Sequence, residues 1–172
     1  MILRAIALVG GLAGAMGLSQ FPEYSQQYSQ RLGGAVDELS RVVSDFDASA
    51  QAVGLTREAA LEQMAGTAFL DRRRADMART FDRHARLSAD LAALRGAGPF
   101  MRAYHAARLT DAEIAARAWG DYRPALPLTF AGVVFAGLGF LAGAMMLSGL
   151  WRMLCWPFRG RSMGAKGLSR LG

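Results

Sequence analysis

Cysteine and histidine are scarce in this sequence of 172 residues. The single cysteine, Cys155, cannot form a disulfide bond within one chain, and nothing beside it favours a reactive thiolate. The two histidines, His84 and His105, fall on different predicted helices, and neither has Cys, His or carboxylate neighbours at the spacing of metal ligands. We therefore expect neither a structural disulfide nor a metal site.

Catalytic motifs are also missing. The sequence has no Gly-x-Ser-x-Gly elbow, no dinucleotide-binding glycine fingerprint and no His-Glu-x-x-His pattern. The glycine-rich stretch 10–14 lies inside an apolar run and lacks the Lys-Ser/Thr that completes a phosphate-binding loop. Carboxylates are not clustered as an acid and base pair. We predict that the chain is not an enzyme and binds no cofactor.

Charge is unevenly distributed. The formal net charge is +6, from 20 basic and 14 acidic residues, and every acidic residue lies between Glu23 and Asp121. Fourteen basic residues balance them, and the excess lies outside the two apolar runs described next, at Arg4, Arg152, Arg159, Arg161, Lys166 and Arg170. Because Lys and Arg accumulate on the cytoplasmic side of membrane spans, we predict cytoplasmic termini and an extra-cytoplasmic middle. Nucleic acid is not an expected partner, since topology explains the basicity.

Two apolar runs are candidates for membrane spans. The first, Ile2 to Leu18, contains one charge, and an alternative is a cleavable signal peptide ending near Ala13-Gly14-Ala15. The second, Leu128 to Trp151, has no charged residue and is long enough to cross a hydrocarbon core of about 30 Å. Pro124 and Pro127 mark its predicted entrance, and Trp151 and Trp156 suit the headgroup zone at its exit.

Small residues recur four positions apart in both runs, which places each pair on one helix face. Such faces allow close approach of two helices, so we expect the spans to pack against each other; the alternatives are contact with a different membrane protein and the general abundance of Gly and Ala. The pairs are Gly10 with Gly14, Ala13 with Gly17, Gly132 with Ala136, and Gly139 with Gly143.

Between the runs, apolar residues alternate steps of four and three, as in a coiled-coil seam. The seam lasts about three heptads, so antiparallel pairing within the chain and an oligomeric coil are both open. We expect Gly54 to end this helix. The seam residues are Tyr28, Leu32, Ala35, Leu39, Val42 and Phe46.

Further helices are predicted from their capping residues. Thr56 is the expected N-cap of a helix that continues to Leu94, and a short helix is expected to start at Pro99. Thr110 and Glu113 form a capping-box pattern that begins a helix ending near Gly120. The run 72–74, three arginines, is interpreted as a solvated helix face, with a patch for anionic lipid as the alternative. No alternating run is long enough for a strand, which makes the fold all helical.

The segment after the first apolar run and the entrance to the second resemble a known family. The segment LSQFPEYSQQY at 18–28, followed by QRLGGAVDEL at 30–39, resembles DUF2937, a family of bacterial membrane proteins of unknown function. The later PALPLT at 124–129 extends the resemblance to the second apolar run. The resemblance implies a bacterial inner-membrane protein and supplies no catalytic residues.

These observations predict an all-α membrane protein, with two transmembrane helices flanking a periplasmic helical hairpin or short antiparallel coiled coil. The expected divisions are a transmembrane helix (1–19), a periplasmic domain (20–123), a second transmembrane helix (124–156) and a basic cytoplasmic tail (157–172). We expect a structural or interaction protein that scaffolds another membrane assembly; the alternative is an accessory subunit, sensor or regulator of an envelope enzyme or transporter. Its expected partners are membrane lipid and either a membrane protein or a second copy.

Overall fold

The computed structural model describes residues 1–122 and 128–159, and all regular structure in these ranges is helical. The all-helical prediction is therefore confirmed for this part of the chain. Predictions for the proline entrance at 124–127 and for the basic residues beyond position 159 lie outside the described residues. The helices are α1 (Ile2–Ser19), α2 (Phe21–Ala52), α3 (Arg57–Gln63), α4 (Ala68–Leu94), α5 (Pro99–Tyr104), a 3-10 turn (Ala106–Arg108), α6 (Ala112–Gly120) and α7 (Phe130–Arg159).

The chain divides into two compact units. The first contains the described residues of 1–22 and 128–159, in which α1 packs against α7. The second contains residues 23–122. Two helical stretches, one near the N-terminus and one over Phe130–Trp156, are long and apolar enough to cross a membrane. Only 17% of the most apolar part of each stretch is buried, whereas a core helix of a soluble protein would be mostly buried.

Helix α2 ends as the sequence predicted. Gly54 has φ +75, a left-handed conformation that glycine adopts without the steric cost of a Cβ. The Leu55 N–H donates to the Ala50 carbonyl and the Gly54 N–H donates to the Gln51 carbonyl, both at 2.9 Å. These two bonds form a Schellman motif, which satisfies carbonyl groups left over at the helix end.

The single helix predicted from Thr56 to Leu94 is wrong, because the chain breaks it into α3 and α4. The Thr56 hydroxyl does cap α3, accepting a hydrogen bond of 3.3 Å from the N–H three residues on. Gly66 then takes φ +98, and the Thr67 hydroxyl starts α4 by accepting a bond of 3.2 Å. The adjacent glycine and threonine are a stop and a start signal that the helical periodicity of the region concealed.

Helix α6 begins one residue later than the capping-box pattern predicted. Its N-cap is Asp111, whose Oδ1 accepts a hydrogen bond of 3.1 Å from the Ile114 N–H, so the assignment to Thr110 is wrong. A carboxylate caps at least as well as a hydroxyl and also interacts favourably with the positive end of the helix dipole. The expected start of α5 at Pro99 is confirmed.

The core of the second unit is built by three helices. The phenol oxygen of Tyr28 accepts a hydrogen bond of 3.0 Å from the Asp111 N–H, which links α2 to the start of α6. Burial raises the pKa of this phenol, because the charged phenolate would lose its hydration. The core residues are Tyr28, Leu32 and Val36 of α2, Leu87 and Leu94 of α4, and Ile114 and Ala118 of α6.

Candidate functional site

Glycines of α1 and α7 bring the backbones of the two helices into close contact in the first unit. A Cβ built on Gly10 would lie 2.6 Å from the carbonyl oxygen of Gly143, nearer than real side chains approach. A Cβ on Gly14 would overlap the carbonyl of Gly139, and Cβ atoms on Gly139 and Gly143 would overlap the carbonyls of Gly14 and Gly10 in turn. The order of these contacts makes the two helices antiparallel. Only glycine at these four positions permits the observed approach.

A fifth glycine, Gly11, also contributes to the contact between α1 and α7, although the four-residue spacing did not identify it. A Cβ on Gly11 would lie 2.5 to 2.8 Å from three ring carbons of Phe140. The aromatic ring of α7 therefore occupies the space that a side chain at Gly11 would fill. The sequence signal for this contact was the pair of adjacent glycines at 10 and 11. The sequence alone does not show that Gly11 faces an aromatic ring while Gly10 faces a backbone carbonyl.

The remaining small residues have different surroundings. Gly17 has no atom within 4 Å of an added Cβ, and Ala13 is exposed. Gly132 is buried, its N–H donates to the Thr129 hydroxyl at 3.1 Å, and Ala136 is half-buried. The structure therefore assigns the tightest contact to two of the four predicted pairs.

The outward sides of α1 and α7 are apolar and uncovered. Met16 is 72% exposed on α1, and Met146 is 77% exposed on α7. Large exposed apolar patches mark surfaces that meet lipid or another protein. Other exposed apolar residues are Leu8, Val9 and Leu12 on α1, and Val133, Leu138, Leu141, Met145, Leu150 and Met153 on α7.

The seam predicted along α2 follows the buried face at its start and leaves it further on. Tyr28 and Leu32 have no exposed surface, and Ala35 and Leu39 pack at the edge of the core. Val42 is 37% exposed, whereas its neighbour Val43 is buried. An α-helix of 3.6 residues per turn drifts by about 20° per heptad relative to a 3.5-residue repeat, which accounts for the change of face.

Phe46, the last seam residue, is half-buried against α4. Its ring lies edge to face with the ring of Phe81, with the centroids 5.2 Å apart. The Arg57 guanidinium lies 4.7 Å from the same Phe81 ring, an attractive cation and aromatic contact. This arrangement joins the end of α2, the start of α3 and the middle of α4.

Arg57 also forms a two-bond ion pair with Asp47. Its Nε and one terminal nitrogen donate to the two carboxylate oxygens at 2.7 and 2.5 Å. The hydrogen bonds from Arg57 lower the pKa of the Asp47 carboxyl below its ordinary value, because they favour the charged form.

A further polar contact joins α2 to α4, where the Ser40 hydroxyl and the His84 Nε2 are 2.9 Å apart. The histidine thus has a hydrogen-bonding role at the helix interface.

A groove of about 570 Å³ crosses the second unit between α2, α4 and α6. Three arginines line it, and each is paired with a carboxylate. Arg83 donates to Glu113 at 2.8 Å, and Arg117 donates to the same side chain at 2.5 Å. Arg31 pairs with Asp121. The groove therefore offers balanced charge to a ligand, without an uncompensated cationic centre.

The family comparison covers nearly the whole chain. A family model described as "Protein of unknown function (DUF2937)" matches residues 2–160. No curated protein and no solved structure matches the chain.

Proposed function

The chain belongs to the DUF2937 family, and from that premise we propose that it is a non-enzymatic structural or interaction protein of the bacterial inner membrane that scaffolds another membrane assembly. Helices α1 and α7 span the membrane, both termini are cytoplasmic, and residues 23–122 are periplasmic. Two observations support this topology. The two apolar helices are antiparallel, and the excess positive charge lies at the two ends of the chain.

The glycine contact between α1 and α7 carries the proposal. Backbone approach at Gly10 and Gly143 uses the small-residue face for pairing within the chain, which leaves the outer faces for lipid and partner. Those outer faces hold large flexible side chains such as Met145 and Met146, which adapt to a partner surface. A partner in the membrane therefore meets the outer apolar surface of a preformed helix pair.

The proposed periplasmic domain presents an antiparallel hairpin of α2 and α4. The pairing of Ser40 with His84, and of Phe46 with Phe81, supports this arrangement, because positions later in α2 meet positions earlier in α4. In this hairpin the seam of α2 is used within one chain, so the domain does not require a second copy for its core.

The test is affinity purification of the full chain from its native membrane in mild detergent, followed by mass spectrometry and a native gel. A scaffold is expected to co-purify a membrane protein in fixed stoichiometry, and that partner is lost or misassembled when the gene is deleted. Recovery of the chain alone would contradict the proposal. If deletion changes the activity of a partner whose abundance stays constant, the accessory or regulatory function replaces the scaffold.

Matched glycine variants test the role of the helix pair. Replacing Gly139 and Gly143 by Leu forces α1 and α7 apart, and we expect loss of the co-purified complex. Replacing Gly137 and Gly149 by Leu adds the same volume to α7 at positions where an added Cβ meets nothing within 4 Å. Equal loss in both double variants would show that the glycine contact has no special part in assembly.

A further inference from the structure

A second, smaller cleft lies within the second unit, where α2, the end of α4 and α5 meet. Its volume is about 340 Å³, and no acidic residue lines it. Leu94 supplies part of its apolar wall. The polar groups at the cleft come from Gln26, Ser29 and Gln30 of α2, from Arg95 just after α4, and from Arg102 of α5.

The two arginines of this cleft differ from those of the larger groove. Within residues 1–122 and 128–159, neither Arg95 nor Arg102 has a carboxylate oxygen within 4.0 Å, whereas Arg108 close by in sequence pairs with Asp90 at 3.0 Å. The Nε of Arg102 is buried and has no hydrogen-bond partner in the described part of the chain. Buried donors of this kind are rare in folded proteins.

We propose that the cleft binds a phosphate-type oxyanion through Arg95 and Arg102. A planar guanidinium matches the geometry of phosphate oxygens, and two of them without carboxylate partners leave uncompensated positive charge at the cleft. The side-chain amides of Gln26 and Gln30 add N–H donors. The Ser29 hydroxyl is not a donor to the ligand, because it already donates to the Ser25 carbonyl at 2.8 Å.

The oxyanion has two possible sources, an anionic lipid headgroup and a free phosphate compound. The chemistry at the arginines is the same for both sources.

The experiment uses the purified full chain in an uncharged maltoside detergent at low ionic strength. Binding of inorganic phosphate is measured by titration calorimetry, and retention of phosphatidylglycerol or phosphatidylcholine is measured by native mass spectrometry. The test variant replaces Arg95 and Arg102 by Gln. The control variant replaces Arg41 and Arg79 by Gln, which makes the same change in net charge at two exposed arginines that line neither this cleft nor the larger groove.

The test variant is expected to weaken binding by about tenfold or more, the effect of losing one charge-assisted hydrogen bond, while the control stays within about twofold. Saturable phosphate binding identifies a free oxyanion as a ligand. Selective retention of phosphatidylglycerol without phosphate binding identifies a headgroup. Absence of both, or equal weakening in the two double variants, overturns the proposal.

A conservative variant guards against loss of folding. Replacing Arg102 by Lys keeps the positive charge and removes the planar guanidinium, so the helical circular dichroism is expected to stay unchanged while binding weakens. If the double Gln variant loses helicity, Arg102→Lys takes its place in the comparison with the control variant. Unchanged oxyanion binding in folded Arg102→Lys, together with unchanged binding in folded Arg95→Lys, would show that guanidinium geometry is not used.

Discussion

Adding one methyl group at Gly10 should weaken the pairing of α1 with α7, whereas the same change at Gly17 should not. In the Gly10→Ala variant the new Cβ lies 2.6 Å from the Gly143 carbonyl oxygen and 2.8 Å from the Leu147 Cβ. Ordinary contact begins near 3.4 Å, so the helices must separate by about 0.8 Å at this point. At Gly17 an added Cβ meets no atom within 4 Å.

The expected free-energy difference between the two variants follows from the clash alone. Overpacking of a close contact costs about 1–3 kcal/mol. Alanine is a better helix former than glycine by roughly 0.5–1 kcal/mol, but this gain applies equally to both variants and cancels in the comparison. We therefore expect Gly10→Ala to be less stable than Gly17→Ala by about 1–3 kcal/mol.

The assay is unfolding of the detergent-solubilised chain by increasing mole fractions of SDS. Energy transfer is measured between dyes on cysteines introduced at Ile2 and Leu150, which are 65% and 52% exposed, in a Cys155→Ser background. These positions are close in an antiparallel α1 and α7 pair. Gly10→Ala should lose energy transfer at a lower SDS fraction than the parent, and Gly17→Ala should not. Identical midpoints for the two variants would refute the backbone contact between α1 and α7.

Three further predictions concern the second unit. Asp47→Asn removes the ion pair with Arg57. Because the pKa of Asp47 is lowered in the folded chain, the pair stabilises the fold above the ordinary pKa of about 3.9, and this stability is lost as the pH falls through the lower folded value. Unfolding curves at pH 7 and pH 3 should show this loss in the parent and not in the variant. Tyr28→Phe removes the acceptor for the Asp111 N–H and should lower the free energy of unfolding in urea by about 1 kcal/mol. Because the pKa of Tyr28 is raised in the folded chain, the phenol contributes its full stability to the fold below the ordinary pKa of about 10, and this contribution is lost as the pH rises further. Asp111→Ala should lower stability by about 1 kcal/mol through loss of the cap of α6, whereas Thr110→Ala should change it little.

Each of these predictions has an outcome that contradicts it. A parent and an Asp47→Asn variant with the same pH dependence would show that the ion pair is not maintained in solution. Unchanged stability in Tyr28→Phe would show that water replaces the phenol at the N–H of the cap. A greater loss of stability in Thr110→Ala than in Asp111→Ala would show that Thr110 is the N-cap of α6, as the capping-box pattern indicated.

Local sequence signals predicted the helices well, because helix starts and stops depend on chemistry within about four residues. Gly54, Thr56 and Pro99 illustrate this, since each acts through its own backbone conformation or its own side chain. Where two local signals competed, the stronger one decided the structure. Periodicity across 56–94 favoured one helix, and the glycine and threonine at 66 and 67 divided it.

The sequence by itself determined the helical class, the two apolar helices and the small residues at 10, 14, 139 and 143. Only the tertiary structure decided which glycines face each other, that Val43 is buried in place of Val42, and that Arg95 and Arg102 share a cleft free of carboxylates. The physical reason is the distance along the chain over which each kind of interaction acts. Helix propensity and capping act between neighbours in the chain, whereas steric contact, burial and charge pairing depend on distances between residues far apart in sequence.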